Sequence, residues 1–386
     1  MTLVTLSGMI FGTIVDRHRK KHVITVSSIV ALLLLVIALG TMVIFGISAI
    51  ADMSSAAFWI FSIFILLSAL ASTLRSIALS TTVSILVEKD KYANANGLVG
   101  MVQGFGMIAN TVFGGLVIGN LGLDWALYIT LFLSAASLIH LFFLHIPEEH
   151  IHHDPEVRGK KMDFKGALKA IHVVPGLMAL IFFTTFNNFI GGIVMVLLDP
   201  YGLELFPVET WGIILGITGT GFIIGGLAIS KKGLGKRPLR TLLYGYVLTS
   251  LICLLFTIRE WAWLFIGGMY LYMLIVPFIE AAEQTIIQTV VPKIKQGRVF
   301  GFAQTVESAA TPISSFIIGP LAQFYIIPLM ETDAGRQALG WLIGEGNARG
   351  IALTFVLSGV FMLTLSLLAF KTKAYHLLSE SFKKSV

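Results

Sequence analysis

The 386 residues are 56% hydrophobic and only 12% charged, with a formal net charge of +6 and a mean hydropathy of +0.88. Soluble domains carry about 25% charged residues, so this composition excludes a water-facing globular surface, and base confined to short gaps gives no case for nucleic acid. The single cysteine, Cys253, excludes an internal disulfide and a cysteine-based metal site.

A membrane-spanning helix needs about 20 apolar residues. Runs of that kind predict helices at 1–15, 23–49, 57–86, 95–118, 126–145, 175–199, 211–230, 241–258, 261–287, 300–327 and 350–370. The fold class is therefore all-α and polytopic, with about eleven transmembrane helices. The first run is short, and the third is expected to end near residue 79 with 80–87 as an interfacial extension. The links 51–56, 119–125, 200–210 and 259–260 are poor in base, and 328–349 reads as a loop on the same side.

Of the 27 basic residues, 23 fall in alternate gaps: 16–22, 88–92, 146–174, 231–240, 291–299 and the tail 371–386. The other gaps hold only Arg259, Arg336 and Arg349, while Arg75 lies inside a run. Cytoplasmic loops carry the excess of Lys and Arg. The alternation predicts a multi-pass protein of the bacterial inner membrane with its N-terminus outside and its basic C-terminus cytoplasmic.

The stretch 146–174 is longer and more charged than any other gap. Its second part, from Phe164 to Val174, is a basic amphipathic run suited to the membrane surface. It divides a bundle at 1–145 from a bundle at 175–370, five spans plus six, with 371–386 as the tail. An internal repeat supports the division. Thr82–Lys91 followed by Gly97 matches Ile286–Lys295 followed by Gly301 at a constant shift of 204. Parallel repeats of this kind place substrate between the halves. Equivalent halves would give the first bundle one more helix, preceding residue 1.

The gap after the first run reads Gly12-Thr-Ile-Val-Asp16-Arg17-His18-Arg19-Lys20-Lys21. It resembles the G-x-x-x-D-[RK]-x-G-[RK]-[RK] signature of the major facilitator superfamily, with Arg19 where the family has Gly. The resemblance implies a latch on the inward face built on Gly12, Asp16, Arg17, Lys20 and Lys21. Gly106-Met-Ile-Ala-Asn110-Thr111-Val-Phe-Gly114-Gly115 resembles the G-x-x-x-G-P-x-x-G-G signature of family exporters, with Asn110 and Thr111 replacing Gly-Pro. Gly106, Asn110, Gly114 and Gly115 read equally as a helix-packing motif. Residues 88–97 and 291–301 look most like the macrolide- and siderophore-exporter branch. The resemblance runs from the family's second helix to its twelfth.

Charges inside spans are costly and mark pathways by default, at about 2.5–3.5 kcal/mol each on insertion scales. Glu280, Glu283, Gln284 and Gln288 share one helical face. Gln304, Glu307, Thr311 and Ser315 share another. Glu280 and Glu307 are expected at matched depth, and the repeat sets Arg75 beside Glu280 and Gln103 opposite Glu307. The set reads either as a structural ion-pair cluster or as a proton site, since carboxylates crowded in a low dielectric are poised to change protonation. Asn187 and Asn188 add neutral hydrogen-bonding groups mid-span. His145, His150, His152 and His153 lack acidic or cysteine partners in ligand register, so no metal is assigned. Gly233-Leu-Gly235-Lys236 lacks the spacing of a phosphate loop.

Together these features predict a secondary transporter moving a bulky amphiphilic small molecule by alternating access, with no cofactor and no catalysis. The resemblance implies proton-driven efflux by a monomer in contact with membrane lipid. A lysophospholipid flippase and a non-transporting scaffold remain the alternatives.

Overall fold

Backbone in a bilayer must satisfy its own hydrogen bonds, and every predicted apolar run is helical in the computed structural model. The structure describes residues 2–148, 163–344 and 348–385. Helix α1 (Thr2–Arg17) leads after two residues into α2 (Lys20–Phe45), where Gly46, at φ +81°, breaks the run before the short α3 (Ile47–Ala51). Next come α4 (Ala56–Leu86) and α5 (Tyr92–Ile108). A π-helical turn, Ala109–Phe113, carries α5 into α6 (Gly114–Leu121), and α7 (Leu123–Phe143) follows.

The amphipathic run forms α8 (Phe164–Val173). Beyond it lie α9 (Leu177–Leu205), α10 (Val208–Lys232), α11 (Pro238–Leu255), α12 (Ala262–Val290) and α13 (Gln296–Leu321). A second π-helical turn, Ala322–Ile326, joins α13 to α14 (Ile327–Glu331). The chain continues as α15 (Asp333–Ile343), α16 (Arg349–Lys371) and α17 (Lys373–Ser385).

Among the described residues, ten helical segments are long and apolar enough to cross a membrane. Helix α1, with 16 residues, reaches about 24 Å at 1.5 Å per residue and takes the place of the first predicted run, 1–15. All six tryptophans (Trp59, Trp125, Trp211, Trp261, Trp263 and Trp341) lie at helix ends opposite the basic gaps. Five of them are exposed. Tryptophan favours the membrane–water interface, so these rings set the level of one boundary.

Four expectations change. Helix α4 continues without a break to Leu86, and its last turns are buried rather than interfacial. Helix α9 runs through Pro200 to Leu205, shortening the predicted 200–210 link. The predicted loop 328–349 contains α15, whose C-terminal carbonyls are held by two arginines. Arg259 donates to the carbonyls of Trp341 and Leu342 at 2.9 and 2.8 Å, and Arg349 to that of Ile343 at 2.9 Å. The tail is the helix α17. The segment 149–162, with His150, His152, His153, Arg158, Lys160 and Lys161, lies outside the described residues.

In the first bundle α2 packs against α4 and α7, and α1 against α4. In the second, α9 packs against α13 and α16, α11 against α12 and α16, and α10 against α12. The bundles meet chiefly through two pairs, α1 on α13 and α5 on α10, with lesser contacts of α5 on α12 and of α4 on α13. The sequence repeat has a structural counterpart at the turns preceding α5 and α13. Lys89–Lys91 and Lys293–Lys295 are both 3₁₀ turns, ending with Lys91 at φ −102° and Lys295 at φ −117°.

Candidate functional site

Glycine makes the two inter-bundle pairs possible. A Cβ at Gly12 would collide with the Gly297 carbonyl and lie 2.9 Å from Arg298 Cα, and one at Gly301 would collide with the Gly8 carbonyl. In the other pair, a Cβ at Gly226 would collide with Met101 and lie 2.8 Å from the Gly97 carbonyl. A residue without a Cβ lets backbones approach this closely. Gly97 and Gly301 are repeat equivalents, so the two close approaches are related by the internal symmetry.

At the basic end of the first pair sits a buried ion cluster. Asp16 accepts from the Gly297 amide at 2.7 Å, the Arg298 amide at 3.0 Å and Arg298 Nε at 3.1 Å. The other arm of the guanidinium, Nη1, donates to Asp163 Oδ2 at 2.9 Å. Asp163 also caps α8, accepting from the Gly166 amide at 3.1 Å, while its own amide donates to Thr13 Oγ1 at 3.2 Å. Arg298 and Asp16 are 2% and 4% exposed. Two carboxylates around one guanidinium satisfy a charge that would otherwise be prohibitive to bury. Lys20 Nζ caps the Val15 carbonyl at 2.6 Å, and Glu148 accepts from the Lys20 and Lys21 amides at 2.6 and 3.3 Å. Gly12, Asp16, Lys20 and Lys21 thus converge at the start of α2, whereas Arg298 and Asp163 were not singled out from the sequence.

Further bonds cross between bundles on the same side. Ser84 donates to Gln296 Oε1 at 2.6 Å, Asn94 to the Ser230 carbonyl at 2.9 Å, and Asn96 to Gln288 Oε1 at 2.8 Å. Gln288 Nε2 reaches the Ser80 carbonyl at 2.9 Å. Each of these bonds lies at the basic ends of the helices. Toward the tryptophan side, the close approach of α5 to α10 is made by Gly104 near the Ile223 amide and Gly219 near Ile108. A Cβ at Gly106 or Gly114 would meet nothing within 4 Å, and Asn110 is exposed. Gly106, Asn110 and Gly114 of the exporter-like stretch therefore lie off the glycine contact in this conformation, while Ile108 between them packs on Gly219. Gly97, Gly100 and Gly104 on the preceding turns carry the packing instead.

The acids inside the second bundle are partly brought together. Glu283 on α12 and Glu307 on α13 are in hydrogen-bonding contact with each other and with Thr184 of α9. Thr184 Oγ1 lies 3.0 Å from Glu307 Oε1. Asn187, one turn along α9, is buried at 2% exposure and donates to the Phe183 carbonyl, leaving its Oδ1 without a donor. Gln284 Oε1 and Glu283 Oε1 are likewise buried and unbonded. Glu280, one turn from Glu283 and Gln284, is exposed, as are Gln103 and Asn188. Arg75 forms no ion pair with these acids among the described residues.

A polytopic protein of two helical bundles, joined at one end by a glycine-lined seam and enclosing buried acids, is the class these features define. The family profile of the Major Facilitator Superfamily matches residues 1–315, and the chain belongs to that family. It is 23% identical over 279 residues to the uncharacterized MFS-type transporter YfmI of Bacillus subtilis (strain 168), a match covering 66% of this chain and 64% of that relative. The chain thus spans less than two thirds of the relative's length. Its fold is similar to that of the proton:xylose symporter XylE, with a TM-score of 0.69 at 10% identity over 96% of this chain and 84% of that one. It is also similar to the human organic anion transporter MFSD10, with a TM-score of 0.65 at 13% identity over 95% and 81%.

Proposed function

We propose that this protein is a secondary active transporter that exports a bulky amphiphilic small molecule in exchange for protons. The seam is the observation that carries the alternating-access reading. Its hydrogen bonds close the basic ends of the bundles, which the excess of Lys and Arg assigns to the cytoplasm. With the basic ends sealed, this conformation would admit cargo from the opposite side. Breaking the Asp16–Arg298–Asp163 cluster opens the inward side. The cluster is worth keeping only while complete, since a half-broken buried ion pair leaves an uncompensated charge.

Proton coupling rests on Glu283 and Glu307. Ionised carboxylates only accept hydrogen bonds, so two carboxyls in direct contact hold a proton between them. Thr184 fixes the orientation of Glu307. Exposed Glu280, a turn away, gives this pair a route out of the protein interior. Proton release and cargo binding then compete for the same acids, which is how an antiporter couples the two. The transporter works as a monomer surrounded by membrane lipid.

The experiment is transport in everted membrane vesicles with a panel of amphiphilic antibiotics and siderophores, with and without an uncoupler. Uncoupler-sensitive accumulation supports the reading. Accumulation that persists without a proton gradient, or none across the panel, removes proton-coupled export.

A further inference from the structure

A second site lies away from the seam, where the α10–α11 turn meets α17. Lys236, Arg237 and Arg240 from the turn and Lys383 from α17 line one surface pocket together with Tyr375 and Phe382. Among the described residues none of the four cations forms an ion pair, and Glu380, the one acid of α17, is exposed and outside the lining. The turn is held by Gly233 and Gly235, at φ +68° and +75°, and by Thr241 Oγ1 donating to the Leu234 carbonyl at 2.9 Å. The pocket also faces the positive end of α11, an 18-residue helix.

Four cations converging on a concavity call for a multiply accepting anion, and phosphate is one that the arginine fork matches bidentately. What surrounds the pocket selects among phosphates. Leu239 and Tyr375 are shared with an adjoining apolar crevice lined by Leu180, Phe183, Leu243 and Leu378. Below it, Arg240, Tyr244, Leu248, Leu251 and Leu255 form an exposed stripe down α11. Arg240 lies 5.9 Å over the Tyr244 ring, at the junction of charged pocket and apolar stripe. A soluble phosphate would use the first part alone. Helices α10 and α11 end here as membrane spans, so the pocket sits at headgroup level.

We infer that this pocket binds the phosphate headgroup of an anionic phospholipid, with the acyl chains against the α11 stripe and the neighbouring crevice. The bound lipid joins α17 to the second bundle at its basic end. The inference needs the membrane setting but no particular cargo, and its readout is binding rather than transport.

The test is native mass spectrometry of the purified full-length protein with phosphatidylglycerol, phosphatidylcholine or inorganic phosphate. The triple variant Arg237→Gln/Arg240→Gln/Lys383→Gln should retain phosphatidylglycerol at least about tenfold less well, given the worth of each cation near an anionic lipid. Lys293→Gln/Lys295→Gln, which removes base elsewhere on the same side, should leave retention unchanged. If the triple variant does not purify as a monodisperse protein, Arg240→Gln and Lys383→Gln are measured singly, each with a two- to fivefold loss on the same basis. Undiminished retention in these variants overturns the site. Equal retention of phosphatidylcholine, or displacement of phosphatidylglycerol by excess inorganic phosphate, overturns the anionic-lipid assignment.

Discussion

Arg298 Nη1 meets Asp163 Oδ2 at 2.9 Å, across 135 positions of chain. The same guanidinium holds Asp16 through Nε, so three parts of the protein share one cation: the first bundle, the second bundle and the linker helix α8. Opening the seam must therefore also free the N-terminus of α8. Coupled release of this kind makes the linker a participant in the transition instead of a passive tether.

Arg298→Ala should leave two buried carboxylates facing each other and disfavour the closed seam by roughly 3–5 kcal/mol. In a Cys253→Ala background, a cysteine replacing buried Ser84 reports the change. Its maleimide labelling should accelerate strongly when Arg298 is lost. Labelling as slow as in the parent would mean that the cluster does not hold the bundles together.

Gly12→Ala should act in the same direction for a steric reason, since its Cβ has nowhere to go against Gly297. Gly106→Ala, which faces open space, should stay within about 0.5 kcal/mol of the parent. The same cysteine reporter separates the two, and similar labelling in both variants would contradict the seam.

Glu307→Gln keeps the size and hydrogen-bonding reach of the side chain but removes the shared proton. In reconstituted vesicles uphill export should vanish while counterflow down a cargo gradient persists. Thr184→Val should weaken coupling less. Proton-driven export that survives Glu307→Gln would make the Glu283–Glu307 contact structural.

Arg349 is fully buried, with Nε 2.8 Å from Glu260 Oε1 and Nη2 2.9 Å from Tyr201 Oη. Its replacement by Ala should cost roughly 3–5 kcal/mol and lower the thermal unfolding temperature in detergent. Glu260→Gln should cost about 1 kcal/mol or less, because that carboxylate is 46% exposed. Equal shifts for the two would show that the ion pair, not the carbonyl clamp, carries the stability.

The orientation is checked with single cysteines at exposed Lys236 and Asp333 in the Cys253→Ala background. An impermeant maleimide added to intact cells should label Asp333→Cys and spare Lys236→Cys. The reverse pattern would invert the topology.

The helices were legible because hydrocarbon leaves the backbone one local solution, and the run lengths carry that directly. The end of α4 was not. Ser80, Thr81, Thr82 and Ser84 look like water-facing residues, yet three of these hydroxyls bond back to carbonyls one turn earlier, and Ser84 also reaches Gln296 across the seam. Polarity in sequence does not say whether its partner is water or another bundle. Arg298 was hidden similarly, standing in a basic gap with Lys293 and Lys295. The repeat held the clue: 204 positions earlier stands Asn94, which bonds across the other pair of the seam. Glu283 and Glu307 were found because a buried acid is costly. Thr184, which carries no such cost, gave no signal.

The close approaches of Gly12 to Gly297 and of Gly226 to Gly97 are contacts of main chain with main chain. A side chain that loses a neighbour can rotate and find another, so an interface of side chains loosens by degrees. Peptide planes locked in helices have no such freedom. Two rigid rods that touch along their axes are either seated or apart, and a seam made this way favours a snap between two states over a continuum of partly open ones.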